Sequence, residues 1–93
     1  MFKEQRTHPR EPLHLPLKLG DGVAASTRDI SATGMYVDFP RGYRLAGPVD
    51  FEMQLAEAGM KFTALGAIVR VDLKAGATGV ALRLISFKLE LLR

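Results

Sequence analysis

Cysteine is absent from the chain, which removes disulfides and thiolate metal ligands and leans towards a reducing compartment. No apolar run approaches membrane-spanning length, so no membrane insertion is expected. The N-terminal stretch MFKEQR is charged where a secretory signal is apolar, and the expected location is the cytoplasm. The glycine-rich P-loop signature is missing, as is the GxSxG nucleophile elbow, and there are no internal repeats or low-complexity tracts. Charge of one sign is also scarce. A net charge of +3 is too small to announce a bulk DNA or RNA binder, but it suits a small anionic ligand or an acidic partner.

What is present is a globular composition, with 47% hydrophobic and 25% charged residues. At 93 residues the expectation is one domain, 1–93, burying roughly two-thirds of the surface its unfolded chain exposes. Cations crowd the start: Lys3, Arg6 and Arg10 stand against one acid, Glu4.

From residue 13 the pattern alternates with the two-residue period of half-buried strands. Leu13, Leu15, Leu17 and Leu19 form a first strand, in which Pro16 marks an edge or bulge. The turn Gly20-Asp21-Gly22 leads to a weak second strand, Val23 to about Arg28. The turn-forming stretch DISATG, 29–34, follows. Met35, Val37 and Phe39 mark a third strand, and Val49, Phe51, Met53 and Leu55 a fourth. A fifth runs from Met60 to about Asp72, with a phase slip near Ala64–Gly66 that predicts a bulge. A sixth spans Thr78 to Ile85, with Val80, Leu82 and Leu84 on one face. Ser86 can cap a short helix whose stripe is Phe87, Leu91 and Leu92. The expected fold is all-β: a six-stranded antiparallel barrel over 13–85, a flexible arm over 1–12 and a C-terminal helix over 86–93.

Two stretches carry candidate chemistry. Arg6 and Arg10 are four apart, the spacing of a helix face, yet Pro9 between them forbids the helix. Their planar forks suit phosphate and the O6/N7 edge of guanine. In DISATG, Asp29 can accept from the N1–H and N2–H of guanine and Ser31 can add a hydroxyl. Gly34 supplies either a positive φ or a close backbone approach. Taken as a turn alone, the same residues simply bond neighbouring backbone.

RTHPR, 6–10, followed by DISATG, 29–34, resembles the RxxxR and (D/N)xSxxG pair of PilZ domains, bacterial receptors for cyclic di-GMP. GMYVDF, GAIVRVD and TGVALRLIS resemble the strands of that family's barrel, so the likeness spans nearly the whole chain. The resemblance implies that Arg6 and Arg10 grip guanine and phosphate from the arm, while Asp29, Ser31 and Gly34 hold the ligand from the barrel. It implies no cofactor, no catalysis and an unidentified protein partner that reads the liganded surface. Thr33 stands where many members have a second glycine, and Gln5 where some carry another cation; one ligand or a stacked pair both remain open.

Arg70 and Arg83, on strands, are secondary candidates, whereas Arg41 and Arg44 read as solvated. His8 and His14 have no third partner at metal-ligand spacing, and a triad of Ser31, Asp29 and a histidine lacks its elbow. Tyr36 reads as an exposed strand aromatic, and Tyr43 as a possible stacking group. The alternatives are a PilZ-type interaction module without ligand and an OB-like nucleic-acid-binding barrel. The second needs exposed aromatics, and most phenylalanines fall on the apolar phase.

Overall fold

Alternation of side chains leaves each strand with one face to bury, and closing the sheet buries all of those faces at once. The computed structural model describes residues 11–92. Its strands are β1 (Glu11–Pro12), β2 (Pro16–Leu19), β3 (Ala24–Ile30), β4 (Gly34–Pro40), β5 (Val49–Leu55), β6 (Met60–Leu73) and β7 (Ala77–Leu91). The neighbour order is β3, β2, β5, β6, β7, β4, and β4 pairs back onto β3. The result is a closed six-stranded antiparallel barrel. Short β1 lies outside the ring, pairing Glu11 with Ile30 and Pro12 with Asp29. The last residues assigned to the arm are therefore strand. Among the described residues no helix is long and apolar enough to cross a membrane.

The core is the alternating set read from the sequence: Leu17, Leu19, Met35, Val37, Phe39, Val49, Phe51, Met53, Phe62, Val80 and Leu82. The β2–β3 hairpin has the expected Asp-Gly turn. Leu19 N–H donates to the Val23 carbonyl (2.8 Å), Gly22 N–H to the Leu19 carbonyl (2.8 Å), and Gly22 adopts φ +89°. The predicted first strand is interrupted. Thr27, buried on β3, accepts from Leu15 N–H (2.9 Å) and donates to the Leu13 carbonyl, holding 13–15 outside the regular ladder. Pro16 begins β2 two residues before pairing with β5 starts at Lys18, so its missing N–H costs no ladder bond on that side.

The β6–β7 hairpin carries two register shifts. One falls between Leu65 and Gly66, where the phase slip was read, but the additional residue is Ile85 on β7; the other places Val69 as the additional residue on β6. The expected helix over 86–93 does not form: β7 continues to Leu91. Ile85, Phe87, Leu89 and Leu91 alternate with Ser86, Lys88 and Glu90, so the segment fits a period of two as well as a helical stripe. Long β6 decides between them, offering ladder partners from Leu65 (to Ser86) down to Met60 (to Leu91). A helix of this length has too few internal bonds to compete.

Gly34 is likewise reassigned. It has no positive φ. Its need is space: a Cβ there would collide with the carbonyl oxygen of Leu82, a backbone atom that cannot swing away.

Candidate functional site

A cleft of about 930 Å³ opens on the outer face of the barrel, lined by Pro12, His14, Arg28, Asp29, Tyr36, Arg70 and Lys74. Four pieces of backbone converge on it. Pro12 comes from β1, opposite Asp29. Arg28 and Asp29 come from β3, where the register slips between Thr27 and Asp29, leaving Arg28 as the additional residue of a bulge. A bulge sets two successive residues against one partner and re-aims them, which is how both line one cleft. Tyr36, opposite Asp29 on β4, forms the floor. Arg70 follows the additional residue Val69 on β6, and Lys74 belongs to the β6–β7 turn.

Tyr36 organises the electrostatics. Its ring lies 5.9 Å from the Arg28 guanidinium, 5.8 Å from that of Arg70 and 4.9 Å from the Lys74 ammonium. Its hydroxyl reaches across β7 to donate to Asp72 Oδ2 (2.7 Å). Gly79 leaves that lane clear, because a Cβ there would collide with the Tyr36 phenol. Asp72 also accepts from Arg70 Nε (3.2 Å). Asp38 pairs with Arg28 Nε (3.6 Å) and Lys74 Nζ (3.8 Å), though its buried Oδ1 has no hydrogen-bond partner among the described residues. These pairs touch solvent, so each is weak and its cation is available to an anion entering the cleft.

The Tyr36 hydroxyl, and after it Arg70, hold the Asp72 carboxyl below its ordinary 3.8. A depressed folded-state pKa adds stability above the unfolded value, which is lost as pH falls through the folded one. Tyr36→Phe is therefore expected to move the Asp72 titration up towards the ordinary carboxylate value, as read by carboxyl-carbon NMR. The acid limb of the stability curve should become shallower. An unmoved midpoint would show that the phenol is not the principal cause.

Of the residues singled out in the sequence, Gln5, Arg6 and Arg10 lie outside the described residues. Asp29 and Arg70 line the cleft. Ser31 lies in the β3–β4 turn, where its N–H donates to the Gly34 carbonyl (2.8 Å) and its hydroxyl sits 3.4 Å from Thr33 N. Thr33 is exposed, and its carbonyl accepts from Leu84 N–H (3.0 Å). Arg83 pairs opposite Gly34 and Ala67 and is not among the lining residues. Tyr43 is occupied elsewhere, donating to Asp21 Oδ2 (2.7 Å).

Sequence reasoning missed Arg28 and Lys74 as walls of the cleft, and it undervalued Tyr36 and His14. Tyr36 and Asp38 were legible as the polar phase of β4. The bulge at Arg28 and the reach of the β6–β7 turn have no comparable local signal.

A search of the curated proteins finds no match to this chain. Among solved structures, the Bacillus subtilis inhibitor of motility MotI/DgrA is similar in fold, with a TM-score of 0.73 at 16% sequence identity. The match covers 92% of this chain and 44% of that one, so the chain spans less than half the length of that relative. The family model described as PilZ domain matches residues 4–92, taking in the two arginines, the DISATG turn and every strand of the barrel. With that span and this closed barrel, the chain belongs to the PilZ domain family.

Proposed function

We propose that the chain is a cyclic di-GMP receptor that does no chemistry and signals to a protein partner through its N-terminal arm. The observation that carries the reading is the position of Asp29, from the second motif, in a cleft walled by cations and bordered by Pro12 of β1. Asp29 lines a cleft rimmed by Arg28, Arg70 and Lys74, and β1 fixes Glu11, the residue joined to Arg10, opposite Ile30. A ligand with two guanines and two phosphates fits such a wall. Carboxylate accepts from a guanine edge, cations meet the phosphates, and the Tyr36 ring offers a stacking face.

In the proposed mechanism the arm wraps the ligand as Arg6 and Arg10 bond to it, with Ser31 and Gly34 contributing from the turn. Ordering ten residues costs on the order of 10 kcal/mol. Charge-assisted bonds worth roughly 1.5–3 kcal/mol each, together with stacking, offset it. The near balance lets the arm's position report the ligand. Family membership supports a receptor or adaptor role. Burial of Phe39, Phe51 and Phe62 speaks against an open stacking platform for single-stranded nucleic acid.

Calorimetric titration with cyclic di-GMP, GTP and a short oligonucleotide tests the reading. Binding of cyclic di-GMP alone, at micromolar dissociation constant or tighter, is the expected result. No heat with it overturns the reading in favour of an interaction module without ligand. Oligonucleotide binding instead favours the nucleic-acid barrel.

A further inference from the structure

Among the described residues, the second half of β7 leaves the barrel with one side uncovered. β4 accompanies β7 only from Ala77 to Arg83, and the last bond on that flank runs from Leu84 N–H to the Thr33 carbonyl (3.0 Å). From Ile85 onward, among the described residues, only β6 lies alongside. Leu92 N–H donates to the Gly59 carbonyl at the base of β6 (2.8 Å). Backbone groups alternate along a strand, so Glu90 and Lys88 also face β6, while the N–H and C=O groups of Phe87, Leu89 and Leu91 point outward.

The side chains make this edge adhesive. Phe87, Leu89 and Leu91 share one face and are 61%, 48% and 71% exposed. They continue the core-facing row of β6, where Phe87 stacks on buried Phe62 with ring centroids 5.5 Å apart. Lys88 and Glu90 occupy the opposite face. Sheet proteins usually blunt an exposed edge with charge or proline; this stretch has no proline, and its one lysine, Lys88, is paired with Glu90 (3.3 Å).

We propose that this edge is a self-association surface, on which two copies of the chain pair antiparallel about a two-fold axis at Leu89. Two arguments select a second copy and this register. Outward-facing groups must meet outward-facing groups, so the axis must pass through a residue and not between residues. An axis at Lys88 sets lysine against lysine, and one at Glu90 sets glutamate against glutamate. An axis at Leu89 sets each Lys88 against the other copy's Glu90, pairs Phe87 with Leu91, and places Leu89 against itself. Only this centring satisfies backbone, apolar face and charge together, and it closes as an isologous dimer that cannot propagate into a fibre. The barrel wall becomes continuous across two chains.

Sedimentation velocity on the full chain without ligand, over a hundredfold range of concentration, tests the surface independently of cyclic di-GMP. The expected result is a reversible monomer–dimer equilibrium based on the 10.2 kDa chain. Lys88→Glu sets glutamate against glutamate and is expected to raise the dissociation constant about tenfold or more. The double variant Lys88→Glu with Glu90→Lys restores the opposite pairing and should restore the dimer. Thermal melts of both variants confirm folding. A chain that stays monomeric throughout overturns the proposal, as does a dimer indifferent to Lys88→Glu or one that the double variant fails to rescue.

Discussion

Arg10→Ala and Asp29→Ala are each expected to weaken cyclic di-GMP binding about a hundredfold while moving the melting temperature by only a few degrees. The size follows from what each residue would lose. Removing a bidentate charge-assisted pair forfeits roughly 3 kcal/mol, which is about two decades in dissociation constant. The selectivity follows from position. Asp29 sits beside a cleft open to solvent, and the inward row that carries the core does not include it. Arg10 belongs to the segment preceding β1. Titration calorimetry and thermal melts on the same preparations separate the two effects. If Asp29→Ala unfolds the chain, its carboxylate is a structural cap of the turn and the ligand assignment at that position falls.

Gly34→Ala should behave in the opposite manner, with its principal effect on stability. The added Cβ would be driven into the Leu82 carbonyl, where β4 and β7 close the barrel. Backbone on both sides must shift. Overpacking of this kind costs about 2 kcal/mol, and for a chain of this size that lowers the melting temperature by roughly 8–16 °C. Among molecules that remain folded, affinity for cyclic di-GMP should change far less than in Asp29→Ala. A variant that melts like the parent yet no longer binds would return Gly34 to direct ligand contact. The contrast sorts the six-residue DISATG motif into parts that hold the ligand and parts that hold the barrel.

The strands were legible where one face is buried and the other wet. Met35, Val37 and Phe39 against Tyr36 and Asp38 admit a single reading, and β5 is equally plain. The Asp-Gly hairpin was legible because its turn chemistry is local. The C-terminal segment was not, since Phe87 to Leu92 satisfies two periods and a distant strand breaks the tie. The candidate site shows the same division. Asp29 stood out by its motif, whereas Arg28 reaches the cleft by a bulge and Lys74 by the length of a hairpin. Features created by register between strands leave no mark on either strand alone.

The smallest strand has the widest consequence. Because Glu11 and Pro12 are stitched to Ile30 and Asp29, the chain that carries Arg6 and Arg10 is tethered at the rim of the cleft. On the proposed reading, a ligand resting on Asp29 would meet those arginines at an effective concentration on the order of millimolar, set by the tether and not by the amount of protein. Grip by the arm would then be a first-order event, whose balance point belongs to the molecule and holds at any abundance of receptor.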